Sequence, residues 1–201
     1  MTSPTQSKHA ARSATTRAAL ISAARRLFGE RGYAEVGTAE IVRAAGVTRG
    51  ALYHQFADKR ELFLAVVEDV EVELIGRIGA GIAGAQPTDP LGALAEGAEV
   101  FIDAILEPDM RRILALDAPS VLGWETWREV AERYGLGLID AVLVQAMEQD
   151  VLPTQPSRPL AHLLLGALDQ GALYVALADD VPAARKETLA AVRGLLDALR
   201  R

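Results

Sequence analysis

Residues 38–59, TAEIVRAAGVTRGALYHQFADK, constrain this 201-residue chain more than any other stretch. Two short helices fit into it with only a tight turn between them. Thr38 can N-cap the first, its hydroxyl accepting an amide two or three residues on, and Glu40 puts a negative charge in the first turn. Ile41, Val42 and Ala45 give that helix one apolar face, and Gly46 can turn left-handed to stop it. Val47 plugs the turn, and Thr48 offers a second N-cap. Arg49 to Gln55 make the second helix, with Leu52 and Phe56 four apart on its inner side. Asp58 and Glu61 then have the spacing of a capping box opening a third helix. The pattern predicts a helix-turn-helix.

The outer face of the second helix crowds Arg49, Gly50, Ala51, Tyr53, His54 and Gln55 onto a turn and a half. A glycine inside a helix costs about 1 kcal/mol relative to alanine, so Gly50 needs a reason, and close approach of another surface to the backbone is one. In a DNA-binding helix-turn-helix the start of the second helix meets base edges in the major groove. Arg49 suits guanine there, and the Ala51 methyl suits the methyl of thymine. Thr38, Thr48, Tyr53, His54 and Lys59 suit phosphate oxygens, which position a protein without specifying sequence.

These residues carry a resemblance. With ARRLFGERGY ahead of them, TAEIVRAAGV and TRGALYHQFADKRELF are similar to the N-terminal domain of the tetracycline-repressor (TetR) family of one-component regulators. The aromatic pair in ALYHQF and the following Lys59 are its most specific part, and the match spans about a quarter of the chain. A segment at residues 119–124, PSVLGW, resembles some members; Val42 and Gln55 depart from the commoner residues. Membership implies a homodimer that binds a pseudo-palindromic double-stranded DNA operator and leaves it when a small-molecule effector occupies the C-terminal domain. The competing class is a small-molecule carrier or enzyme with a helical head not used for DNA.

Net charge −6 fits a DNA binder only once it is divided along the chain. Residues 1–63 carry 10 Lys and Arg against 5 Asp and Glu, whereas residues 64–201 carry 11 against 22. A basic head on an acidic body suits a DNA-binding module joined to a domain with another task. The chain has no cysteine, so disulfides, thiolate nucleophiles and thiolate metal sites are excluded. No apolar run reads as a signal peptide or a membrane span, and the expected location is the cytoplasm.

The expected fold is all-α. Residues 1–14 read as a disordered basic tail, a solvated tail rather than a minor-groove arm built on Lys8 and Arg12. Residues 15–60 form the three-helix DNA-binding domain, and residues 61–201 a helical ligand-binding and dimerisation domain entered through a long fourth helix. One decoy lies in that helix. Residues 79–84, GAGIAG, match a dinucleotide-binding glycine pattern, but Pro87 leaves no room for the helix such a loop must open, and Val66, Val70, Leu74, Ile78 and Ile82 carry the helical stripe straight through. His9, His54 and His162 have no metal-ligand spacing and no serine sits on a nucleophile elbow, so no catalytic residue, metal or cofactor is expected.

In the body, Phe101, Trp124, Trp127, Tyr134 and Met147 supply aromatic and soft surface for a largely apolar effector between helices. Asp117 and Asp169, with Asp103, are acids near apolar faces, which would suit a cationic one. The last two helices carry wide apolar faces. Leu164, Leu168, Gly171 and Val175 on one, and Val192, Leu196 and Leu199 on the other, are the expected dimer interface.

Overall fold

The computed structural model describes residues 4–200, with side chains from residue 11 onward. Among these residues there are helices and connectors and no strand. The head is α1 (Pro4–Arg31), α2 (Thr38–Ala44) and α3 (Arg49–Gln55). The long α4 (Lys59–Ala85) leads into the body, followed by α5 (Pro90–Ile105). Next comes α6, in which Pro108–Met110 runs through π turns over Arg111–Asp117 into Ala118–Leu122. In α7, Trp124–Ala131 likewise passes through a π segment, Glu132–Leu136, into Gly137–Glu148. The chain ends with α8 (Ser157–Ala176) and α9 (Val181–Ala198).

Most helix starts follow local chemistry. Thr48 accepts the amide of Ala51 at 3.2 Å, Asp58 that of Glu61 at 2.7 Å, and Asp89, ahead of Pro90, that of Gly92 at 2.9 Å. Glu61 reaches back in turn, but to the residue before the cap, accepting the Ala57 amide at 2.6 Å. Two starts differ from expectation. Gly37, not Thr38, caps α2, its extended backbone doing so without a side chain. Helix α1 begins at Pro4 rather than near Thr15, so residues 4–14 are helix and not a disordered tail. Thr15 and Thr16 start nothing, because each hydroxyl bonds back to a carbonyl four residues earlier, Ala11 and Arg12. Residues 1–3 and the Lys8 side chain lie outside the described residues.

The decoy glycines lie inside α4, where one of them, Gly81, lets α5 come close. A Cβ on Gly81 would lie 2.5 Å from a Val100 methyl, and one on Gly97 would lie 3.3 Å from Ile82. One buried cluster runs from Leu20, Phe28 and Leu52 in the head along α4 to Ile102, Ile113 and Val175; a second gathers Leu91, Ile139, Leu143 and Leu164 at the far end.

The joint between head and body is built around the loop after α1. Phe28, Tyr33 and Phe63 form a triangle of rings with centroids 5.0–5.6 Å apart. Over the Tyr33 ring, at 4.0 Å, sits the Lys59 ammonium, which donates to the carbonyls of Tyr33 (2.7 Å) and Val36 (2.9 Å). Burial draws the Lys59 pKa below its ordinary value. Lys59 therefore fastens the loop, a task the phosphate-contact expectation did not include. On the other side, the Asp117 carboxylate accepts the Tyr33 amide at 2.7 Å. Arg60 donates to the Leu122 carbonyl at 2.6 Å, and Gly29 lets α1 lie on α6, since a Cβ there would meet Asp109 Cβ at 2.7 Å.

Lys59→Met removes a charged donor from two loop carbonyls, and two such bonds contribute about 2 kcal/mol or more. Thermal denaturation should show a lowered Tm; a variant as stable as the parent would show that the clamp does not hold the loop.

Candidate nucleic-acid interface and effector cavity

Helix α3 buries Leu52 and turns most of its other side chains outward. Gly46, at φ +65°, makes the turn, and Val47 donates its amide to the Val42 carbonyl at 3.1 Å. Arg49, Gly50, Tyr53 and His54 are exposed and Ala51 is half-buried. The Arg49 guanidinium lies 5.6 Å from the Tyr53 ring centre. Hydrogen bonds with Thr38, and then with Arg49, hold the Tyr53 phenol below its ordinary pKa. Gln55 turns back to donate to the Ser13 hydroxyl at 2.7 Å, and the Arg17 guanidinium covers Phe56 at 4.4 Å, so α1 props α3 from behind.

Gly50 is the informative position. Its φ is not in the left-handed region, and a Cβ there would meet only the Thr48 hydroxyl oxygen, at 4.0 Å. Nothing in the fold requires glycine at this site.

Two adjoining cavities open in the body. The narrower, about 80 Å³, is aliphatic, lined by Leu74, Ile78, Leu94, Ile139 and Val142 among others. The wider, about 330 Å³, is lined by Leu114, Pro119, Trp124, Trp127 and His162. Glu71, Phe101, Ala131, Leu165 and Asp169 line both, so they form the wall the cavities share. Both π segments contribute lining, through Leu114 and Ala115 and through Glu132 and Gly135. Such segments are frequent at functional sites.

Of the residues expected at the effector site, Phe101, Trp124, Trp127 and Asp169 line these cavities, with the two indoles 5.1 Å apart. Three are placed elsewhere. Asp117 faces the head and holds Tyr33. Tyr134 packs on the first core cluster, because the π segment puts Gly135 at the lining position. Met147 packs on the second cluster, one turn beyond the cavity. Glu71 was missed: in the run VEDVEVEL it has the spacing of a solvated face, and only tertiary packing sets it apart.

The expected dimer residues also move. Leu164, Val175 and Leu196 are buried within the chain itself, while Leu168, Val192 and Leu199 pack on the second cluster. A Cβ on Gly171 would lie 3.1 Å from Thr188, so its smallness serves the contact between α8 and α9. Helix α8 is apolar on both sides, and periodicity cannot say which side faces inward. Its exposed side carries Leu163, Ala167, Tyr174 and Leu177, with Leu195 exposed on α9.

Burial, and then the charge of Asp169, push the Glu71 carboxyl up from 4.5 to about 7; burial raises Asp169 from 3.8 to about 6. Both hold protons in the folded chain at pH values where the unfolded chain has lost them. Their stabilising contribution is therefore full below about pH 4 and is lost as pH rises through about 7. Melting curves should show Tm falling across that window, and Glu71→Gln should remove much of the fall. An identical profile in the variant would show that Glu71 does not titrate with folding.

Residues 20–66 match the model of the bacterial regulatory proteins of the tetR family, and residues 91–199 match that of a tetracyclin repressor-like C-terminal domain. The transposon Tn10 TetC protein of Escherichia coli is 26% identical over 186 residues, 92% of this chain and 93% of that protein. The transcriptional regulator TtgR of Pseudomonas putida is 37% identical over 99 residues, 49% of this chain but only 47% of its own length. A TetR-family regulator from Pectobacterium atrosepticum superposes with a TM-score of 0.81 at 31% identity, covering 94% of this chain and 96% of its own. RolR, solved with resorcinol, shares the fold at 23% identity, with a TM-score of 0.73 over 92% of this chain and 89% of its own. No helix of the described residues is long and apolar enough to cross a membrane. A basic helix-turn-helix head and a helical body that each match the same family leave the enzyme alternative without support: the chain is a transcriptional regulator of the TetR family.

Proposed function

We propose that the protein is a homodimeric, cytoplasmic repressor that binds a pseudo-palindromic operator and leaves it when a small, largely apolar effector fills the cavities between α4, α5, α7 and α8. The observation that carries the DNA-reading part is Gly50, an exposed helix glycine that the fold does not need, flanked by Arg49, Tyr53 and His54. Arg49 and Ala51 would meet base edges. Thr38, Thr48, Tyr53 and His54 would meet phosphates, with Lys59 holding the loop behind them and keeping one ammonium proton for a phosphate.

The exposed side of α8 supports a four-helix interface with a second copy. Leu163, Ala167, Gln170, Tyr174 and Leu177 recur at spacings of four and three, the seam of antiparallel or parallel helix packing. Two heads held this way would enter successive major grooves about 34–36 Å apart. Effector binding would act on that spacing along two routes. One is α4 itself. The other is α6, whose Leu114 and Pro119 line the wider cavity while its Asp117, Val121 and Leu122 hold Tyr33 and Arg60 of the head side. Moving a bound population tenfold requires about 1.4 kcal/mol of preference for the released form.

Gel shifts on the promoter next to the protein's own gene test the reading, with salt titrated because phosphate contacts release counterions. Arg49→Ala should relax base preference by about 1–3 kcal/mol. Gly50→Ala should weaken operator binding while Tm stays level or rises, by about 1 kcal/mol in helix propensity. A Gly50→Ala protein that binds like the parent would remove the close-approach argument. Tyr174→Glu should shift the protein to a monomer in light scattering and abolish operator binding; a persistent dimer would place the interface elsewhere.

A further inference from the structure

The shared wall of the two cavities presents two carboxylates and no counter-charge. Among the described residues, neither Glu71 nor Asp169 takes part in a hydrogen bond or ion pair, and both are half-buried. Neither serves the backbone: both sit inside long helices, away from the caps. The basic side chains within reach are committed elsewhere. Arg128 and His162 also line the wider cavity, but both turn to the same Glu132 oxygen, at 2.8 and 3.7 Å. Arg133 pairs with Glu68 at 2.6 Å, and Arg185 is divided between Glu99 and Asp103. Glu68, Asp69 and Glu73 on α4 and Glu99 and Asp103 on α5 all meet arginines, whereas these two face open space.

Half-buried like charges with no partner repel each other, and neither carboxylate makes a bond that the fold uses. Their surroundings state what would relieve them. On one side lies an aliphatic slot; on the other, a wider chamber with the Trp124 and Trp127 indoles; Phe101 stands on the common wall. A cation placed between the carboxylates gains two opposite charges and has aromatic faces nearby. An anion would meet repulsion. No group of three or more metal-ligating side chains occurs among the described residues, so a bare metal ion lacks a ligand set.

We propose that the effector is a lipophilic amine, whose ammonium sits between Glu71 and Asp169 with an alkyl arm in the narrow cavity and an aromatic arm in the wide one. That it acts as an effector rests on the regulator reading above; that it binds does not.

The test is calorimetric titration of the full-length protein near neutral pH with N-benzylbutylamine and with its uncharged isostere, benzyl butyl ether. The amine should bind at least about tenfold more tightly than the ether. Glu71→Gln and Asp169→Asn should each weaken the amine by about tenfold while leaving the ether within about twofold, with folding checked by Tm. The amine, and not the ether, should release the operator in gel shifts. Equal binding of amine and ether, binding of neither, or an amine affinity unchanged in the double variant would each overturn the inference. Operator binding by the ligand-free protein is scored separately. If it stands while the amine fails, the regulator survives without this ligand class; if it fails while the amine binds, the site is real and the regulatory reading falls.

Discussion

The backbone of residues 32–37 is only partly satisfied by local turns, and the way the rest is satisfied ties the molecule together. Lys59, at the start of α4, takes two of its carbonyls, and Asp117, at the end of the π segment in α6, takes the Tyr33 amide. A loop left unpaired at a half-buried joint would cost as much as the hydrogen bonds it lacks. Because its partners come from two different helices, the head cannot tilt on α4 without disturbing α6. Gly29 and Arg60 reinforce the same contact, one by removing bulk and the other by reaching the carbonyls that close α6. The reading surface and the cavity wall therefore share one mechanical element, although no side chain spans the distance between them.

Charge follows the same division of labour. The head is cationic and its exposed α3 face keeps its arginine and histidine toward solvent. The body is anionic, yet many of its acids are neutralised by arginines across helix pairs, as with Glu107 and Arg77 or Asp89 and Arg200. Exposed pairs of this kind contribute little individually. Their significance is by contrast: the two acids on the cavity wall lack an ion pair and share one enclosed space.

Much of the head was legible because its signals are local. A threonine cap, a glycine that reverses the chain and apolar residues at helical spacing set α3 at Arg49–Gln55, and Asp58 and Asp89 announced the next two long helices. What the sequence could not show were assignments settled between distant segments. Lys59 looks like any basic residue after a recognition helix until Tyr33 and Val36 are placed beneath it. Asp117 looks like a pocket acid until the Tyr33 amide arrives from 84 residues away. Helix α8 offers two apolar sides, and only its packing on α5, α7 and α9 buries Leu164 and Val175 while leaving Leu163 and Tyr174 outside. Glu71 and Glu73 are two residues apart in a charged run, and one reaches the cavity while the other meets Arg25.

Regular helical spacing also fails at Glu132–Leu136 for a definable reason. A π turn houses one residue more than the α-helix around it, and each residue corresponds to about 100° of rotation. The half of α7 beyond it is thereby turned relative to the half before, which puts Gly135 rather than Tyr134 toward the cavity. Loss or gain of a single codon in that segment would swing Leu138, Ile139 and Val142 as a set, remodelling the lining without exchanging any of the residues that compose it. The length of one turn thus shapes the cavity wall independently of which residues compose it.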